Sequence, residues 1–369
     1  MADPLSLLRL ARSEGVGPLT YRRLLARFAG PEEALAALPA LAAAGGRAHP
    51  PRVPSPEEAR REWEAVRRLG GRFLFLDEPG YPPLLAELAN APPVLAVLGD
   101  AALLAAPAIA IAGARNASAN GLALAAQLAA ELAPHLTIVS GLARGIDTAA
   151  HEGALRGGRT VAVIAGGLDV PYPAENAGLQ RRIAETGAVV TEAPLGTEPL
   201  GRHFPKRNRV IAGLSLGLVV IEAAPRSGSL LTARLAAEAG REIFAVPGSP
   251  RDPRSRGGND LLRQGAHLTE TAEDVLANLP AHPALRRAAL TGFAEPPPLW
   301  EDDAPGPDEL ERGRGEIPSL LGVEPVLVDE IARRCQLSLT AVRTVILELE
   351  LAGRAECLPG DKVVRPADG

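Results

Sequence analysis

The chain has 369 residues, more than a typical single domain needs, with a hydrophobic share of 46% that is ample for a buried core and an aromatic share of only 3%. Its formal charge of −5 argues against nucleic acid as a partner for the chain taken as a whole. The charge is uneven, however: residues 201–265 hold 11 Lys/Arg against 5 Asp/Glu, whereas residues 293–316 hold 2 against 8.

In chain order, the first 44 residues have apolar residues at helical spacing, interrupted at Gly15-Val16-Gly17-Pro18 and Gly30-Pro31. This predicts a small helical domain over residues 1–48, of the helix-hairpin-helix or SAM-like kind, whose turn amides have the chemistry to touch a DNA backbone. GGRAHPPRVPSPEE (Gly45–Glu58) then reads as a linker. Residues 55–290 change character. IAIAGA from Ile109, LTIVSG from Leu136, TVAVIAGG from Thr160, AVVTEAP from Ala188, GLVVIEA from Gly217 and EIFAVPG from Glu242 are continuous apolar runs with helical stretches between. Runs of that kind belong to strands covered on both faces, so an open, doubly wound, mostly parallel α/β sheet is expected. Residues 291–316 read as an acidic, Pro-rich linker (EPPPLWEDDAPGPDE). Residues 317–369 read as a winged helix, with a second helix capped at Ser338 and a hairpin centred on Pro359-Gly360-Asp361.

Ligands of open parallel sheets bind at the carboxyl ends of the strands. Here those ends carry Gly113-Ala114-Arg115, the run Ser140-Gly141-Leu142-Ala143-Arg144, Gly166-Gly167, the run Arg226-Ser227-Gly228-Ser229, and Pro247-Gly248. Glycine lets backbone amides approach an oxyanion, Ser229 and Thr232 add hydroxyl donors, and Arg115, Arg144 and Arg226 add charge. Between the fourth and fifth strands lies HFPKRNRVIAGLS (His203–Ser215). Clustered like charges weaken a helix, so Lys206, Arg207 and Arg209 read as phosphate contacts, with Phe204-Pro205 and Val210-Ile211-Ala212 expected to be buried on either side.

The competing chemistries lack their motifs. GARNAS is not G-x-G-x-x-G, no G-x-x-x-x-G-K-[ST] occurs, and no histidine pair has metal-ligand spacing, so no cofactor and no metal are expected. His151, four residues after Asp147, reads as a local hydrogen bond with that carboxylate rather than a catalytic dyad, and Asp169 and Glu192 have no evident catalytic partner. Cys335 and Cys357 make neither a disulfide framework nor a zinc site. With no leader-like N-terminus and no apolar run of 18 residues, a reduced cytoplasmic protein is expected. The apolar helix Leu122–Ala133 reads as core packing rather than a subunit contact.

SGLARGIDTAAHEGAL, FPKRNRVIAGLS and SGSLLTARLAAEAGREIFAVPGS, in that order, resemble the DNA-processing protein A (DprA/Smf) family, most closely over residues 81–267. The resemblance implies an extended Rossmann fold that dimerises, flanked by a SAM-like domain and a winged helix. It implies a non-enzymatic role: binding and protecting single-stranded DNA and loading the recombinase RecA onto it in natural transformation. It places the DNA contacts on Arg115, Lys206, Arg207, Asn208 and Arg209, with Ser140, Gly141, Arg144, Ser227, Gly228 and Ser229 lining the same pocket. The family's Gly-Ser-Arg is Gly113-Ala114-Arg115 here, which removes one hydroxyl donor. Two other readings remain. The LOG phosphoribohydrolases share this kind of fold, but Thr232 stands where their catalytic glutamate would be. A winged-helix regulator would read DNA with the helix from Ser338 to Leu351, which offers Arg343 but also Glu348 and Glu350.

Overall fold

The computed structural model describes residues 2–280 and 305–366. They form two compact units, one holding both chain ends (Met1–Arg61 with Gly292–Gly369) and the other Glu62–Thr291. The two terminal domains expected from the sequence thus occupy one unit. Most of the Pro-rich acidic run falls outside the described residues.

The terminal unit begins with α1 (Pro4–Ala11), α2 (Pro18–Arg27) and α3 (Pro31–Ala44). Each starts with proline, whose fixed φ and missing N–H suit a first helical turn. The Asp3 carboxylate caps α1, accepting from the Ser6 amide at 3.0 Å and its hydroxyl at 2.8 Å.

The central unit begins within α4 (Pro56–Arg68), which leads into β1 (Gly71–Phe75), α5 (Pro83–Ala86) and β2 (Val94–Gly99). The six expected strands follow: β3 (Ala108–Gly113), β4 (Thr137–Ser140), β5 (Thr160–Val163), β6 (Ala188–Thr191), β7 (Gly217–Ile221) and β8 (Glu242–Ala245). The two-residue β9 (His267–Leu268) completes a nine-stranded sheet of order β1-β2-β6-β5-β4-β3-β7-β8-β9. β3 to β9 pair in parallel, while β2 runs antiparallel to both β1 and β6. The helices between the strands are α6 (Ala119–Leu132), α7 (Ile146–Gly157), α8 (Ala177–Thr186), α9 (His203–Leu214) and α10 (Gly228–Glu238), with α11 (Arg256–Arg263) and α12 (Ala272–Asn278) after β8.

Alternation along β3 builds both faces of this sheet. Ala108, Ala110 and Ala112 join the core that includes Val210 and Ile211 of α9 and Ala233 of α10. Ile109 and Ile111 join the core that includes Leu128 of α6 and Ala150 of α7. The apolar Leu122–Ala133 stretch therefore packs inside one subunit. From β3 the chain moves to β4, β5 and β6 on one side and returns with β7 on the other, so the order reverses at β3. Such a reversal opens a crevice at the carboxyl ends of β3, β4 and β7.

The terminal unit resumes with α13 (Pro307–Leu320), β10 (Val326–Leu327), α14 (Val328–Cys335), α15 (Leu339–Leu351), β11 (Glu356–Leu358) and β12 (Lys362–Val364). The stretch expected as linker up to residue 316 is helical from Pro307, because Pro at the first position and Asp308-Glu309 in the first turn favour a helix start, and Gly313 and Ile317 are buried. Ser338 caps α15, accepting from the Ala341 amide at 3.2 Å. The expected hairpin joins β11 to β12, with Gly360 and Asp361 in the left-handed region at φ 81° and 52°. α15 has little free surface: nine of its 13 residues are buried, Glu348 among them, which a groove-reading helix does not tolerate.

Candidate functional site

Three loops meet at the crevice. The β3–α6 loop is tied across the reversal to β7 by Glu222, which accepts from the Ser118 amide at 2.8 Å and from its hydroxyl. The β4–α7 loop is tied to the same loop by the Ile146 amide, which donates to the Ala114 carbonyl at 3.2 Å. That approach needs Gly145, at φ 77°, where a Cβ would lie 2.3 Å from the Ala114 oxygen. Three non-glycine residues at the strand ends, Leu142, Glu222 and Arg226, also have left-handed backbone, at φ 56°, 52° and 62°. Strained backbone of this kind clusters at ligand sites.

Two cavities, of about 390 and 520 Å³, open between these loops and share Arg115, Asn116, Ala143, Phe204 and Arg207. Arg207 dominates them. It is 7% exposed and lies across Gly141, whose backbone is so close that a Cβ there would fall 1.5 Å from Nη1. Its nearest carboxylate is Asp147, with Nη1 and Oδ2 3.9 Å apart, and its buried Nε has no partner. Asp147 instead accepts from the amides of Gly141 and Ala143 at 3.2 and 3.3 Å. Burial raises the Asp147 carboxyl and lowers the Arg207 guanidinium, and each is opposed by the other's charge. The guanidinium thus stands at the wall of both cavities with only a carboxylate 3.9 Å away to match its charge.

Around it lies an aromatic and cationic cluster. The guanidinium carbons of Arg115 and Arg207 lie 5.1 and 5.7 Å from the Phe204 ring centroid, and Tyr172, 48% exposed, sits 6.0 Å from that ring. Arg115 is exposed and lines both cavities, whereas Lys206 is exposed and lines neither. The amides at the start of α10 lack a side-chain cap, and Ser227, Gly228 and Ser229 line the larger cavity there, with the two serine hydroxyls 2.8 Å apart.

The remaining expected residues sit differently. Arg209 is buried, paired with Glu192, and lines neither cavity. Asn208 lines the larger cavity, and its Nδ2 donates to the Gly228 carbonyl at 3.4 Å. Ser140 is fully buried, its hydroxyl donated to the Ile111 carbonyl at 2.7 Å, so it fastens β4 to β3 and faces no cavity. Thr232 lines the larger cavity but donates its hydroxyl to the Gly228 carbonyl at 3.1 Å. Arg144 stands at the rim in an exposed ion pair with Glu175, whose carboxylate raises the guanidinium pKa. Of the flanks expected to be buried, Val210-Ile211-Ala212 are, whereas Phe204 is half-buried in the wall of both cavities and Pro205 is exposed and lines neither. Sequence reasoning passed over Asn116, which lines both cavities directly after Arg115. It also passed over Arg254, held at the larger cavity by both Asp252 oxygens at 3.1 and 2.9 Å. Among the described residues no group of three metal-ligating side chains occurs, and no helix is long and apolar enough to cross a membrane.

His151 does not bond Asp147. Thr160 donates its only hydroxyl proton to the Ile138 carbonyl at 2.7 Å, so at 2.7 Å from His151 it accepts from Nδ1–H. The imidazole is fully buried, and burial, followed by the charge of Arg207, lowers its pKa to about 3. Between pH 6.5 and about 3 the unfolded chain takes up a proton that the folded one refuses, so stability falls as pH falls. Wild type should lose about 1.4 kcal/mol more per pH unit than His151→Asn between pH 6 and 4. Urea titrations across that range check this, and parallel curves would mean that the folded imidazole is charged.

A mostly parallel α/β sheet with helices on both faces and a cationic crevice at its switch point defines a Rossmann-like protein. The profile of the DNA recombination-mediator protein A family matches residues 72–280, with the DprA-like N-terminal HHH domain matching 1–65 and the DprA winged helix domain matching 301–361. The chain belongs to this family. Protein Smf of Synechocystis sp. is 33% identical over 97% of this chain and 98% of its own length. The DNA processing protein DprA of Streptococcus pneumoniae is 47% identical over 56% of this chain and 73% of its own. The X-ray structure of the Streptococcus pneumoniae DprA superposes with a TM-score of 0.63 at 34% identity, covering 76% of this chain and all of that one. A Helicobacter pylori DNA processing protein A, solved for its single-stranded DNA binding mode, gives 0.51 at 31% identity, over 56% of this chain and 95% of its own.

Proposed function

We propose that the crevice binds the phosphate backbone of single-stranded DNA, and that the protein, as a cytoplasmic dimer, protects that strand and delivers it to the recombinase RecA in transformation and recombination. The observation that carries this reading is Arg207: a nearly buried guanidinium, loosely matched by Asp147, at a cavity wall it shares with Arg115 and Phe204. Family membership and the DNA-binding Helicobacter relative support it. Amides, guanidiniums and one aromatic pair suit a strand held with little base preference. The role is non-enzymatic: Thr232, where a phosphoribohydrolase would carry its glutamate, is 3% exposed and spends its hydroxyl on the helix backbone.

A labelled single-stranded oligonucleotide and its duplex, titrated across a salt series, test the reading. The single strand should bind in preference, with log K falling by about 0.7 per phosphate contact with log salt. Arg115→Ala/Lys206→Ala, both exposed positions, should weaken binding and flatten the slope by about two contacts' worth. A flat salt response, or a variant that binds like wild type, would place the strand elsewhere. With AMP no adenine should be released, and RecA should hydrolyse ATP on the bound strand sooner with the protein than without it.

A further inference from the structure

We infer that the N-terminal helices are the docking partner of the winged helix: the two ends of the chain make one split domain, closed through α15, and this pairing covers the helix that a winged-helix reader would place in a DNA groove.

The contacts are numerous and close. Arg27 donates to the Thr344 hydroxyl at 3.2 Å and Arg23 to the Cys357 sulfur at 2.7 Å. Arg47 donates to the Leu351 carbonyl at 3.2 Å, and Arg354 reciprocates to the Gly45 carbonyl at 3.1 Å. Gly45 lies against α15 so tightly that a Cβ would fall 1.9 Å from the Glu348 oxygen. Leu19 of α2 packs onto the winged-helix core. From its other side, Arg314 of α13 grips the buried Glu348 carboxylate through two bonds of 2.8 Å. α15 is thus clasped between α13 and the N-terminal helices. Gly15 of the N-terminal turn also touches the end of α15, where a Cβ would lie 3.4 Å from the Leu351 oxygen, while Gly17 stays open. A helix clasped on both sides, with a carboxylate buried in it, has no face for a DNA groove. Its one outward cation, Arg343, is 3.4 Å from Asp361.

Hydrogen exchange on the full chain tests the pairing with Gly45→Val, which forces a side chain into the Glu348 carbonyl. Amides of α3 and α15 should lose protection together, by about tenfold or more, while β3 and β7 keep theirs. Cys357 reports the same event. Burial pushes its thiol up to about 12, so it should be inert to maleimide in a Cys335→Ala background and react at least about tenfold faster when Gly45→Val is added. Loss of protection in α3 with α15 unchanged would overturn the inference. Should Gly45→Val fail to fold, Arg23→Glu, set against Glu350, gives the same readouts. Arg343→Ala should leave both single-strand and duplex affinity unchanged; a loss with either would show that α15 does reach DNA.

Discussion

Arg207→Met lowers the unfolding free energy by about 3–5 kcal/mol, and by more at pH 8 than at pH 5. The variant leaves Asp147 buried, 6% exposed, with two backbone amides but no cation within 4 Å. Its carboxyl, already raised by burial, rises further once the guanidinium is gone. The folded protein then holds a proton that the unfolded chain, with an ordinary aspartate, has released. Unfolding sheds that proton, so stability is kept at low pH and lost as pH rises through the raised folded value. Adding Asp147→Asn removes the stranded charge and should recover much of the loss together with its pH dependence. Urea unfolding of the single and double variants at both pH values decides the matter. Equal losses in both would assign the cost to lost packing.

Gly141→Ala should cut single-stranded DNA affinity by about tenfold to a hundredfold, with the fold retained. The new methyl group falls 1.5 Å from Arg207 Nη1, and Asp147 Oδ2 stands 2.8 Å away, so the guanidinium must leave its place across the β4–α7 loop. A charge-assisted bond to phosphate is worth about 1.5–3 kcal/mol, and each 1.4 kcal/mol is a factor of ten. Gly178→Ala, exposed on α8 and lining neither cavity, is the matched control, because no atom lies within 4 Å of a Cβ there, and it should change affinity less than about threefold. Oligonucleotide anisotropy at one fixed salt concentration separates the two. If both glycine variants behave alike, the position of Arg207 does not set affinity.

The sheet was legible where the physics is local. Six runs of apolar residues became β3 to β8, because a strand covered on both faces must be apolar throughout. β1, β2 and β9 were missed. GRFLF is only five residues long, VLAVLG pairs antiparallel outside the repeating βα rhythm, and two residues at a sheet edge leave no pattern. In the site, Gly113, Arg115, Gly141, Arg144, Gly166 and Gly228 line the two cavities, whereas Arg226, Gly167 and Gly248 line neither. The sequence could not show that adjacent cations part company: Lys206 faces solvent, Arg207 the crevice, and Arg209 the carboxylate of Glu192. Successive helical residues point about 100° apart, so a charge cluster in the chain is not a charge cluster in space. Nor does any local pattern pair Arg207 with Asp147, which is 60 positions away in sequence and on another helix.

The shared terminal unit also has a timetable. α2 and α3 are complete by residue 44, but the helix that covers them begins at Leu339. At a synthesis rate of about 5–20 residues per second, the intervening stretch takes on the order of 15–60 s to appear. For that interval the N-terminal helices leave the ribosome without their cover, while the α/β sheet has time to form behind them. Helices made before the sheet are therefore finished after it.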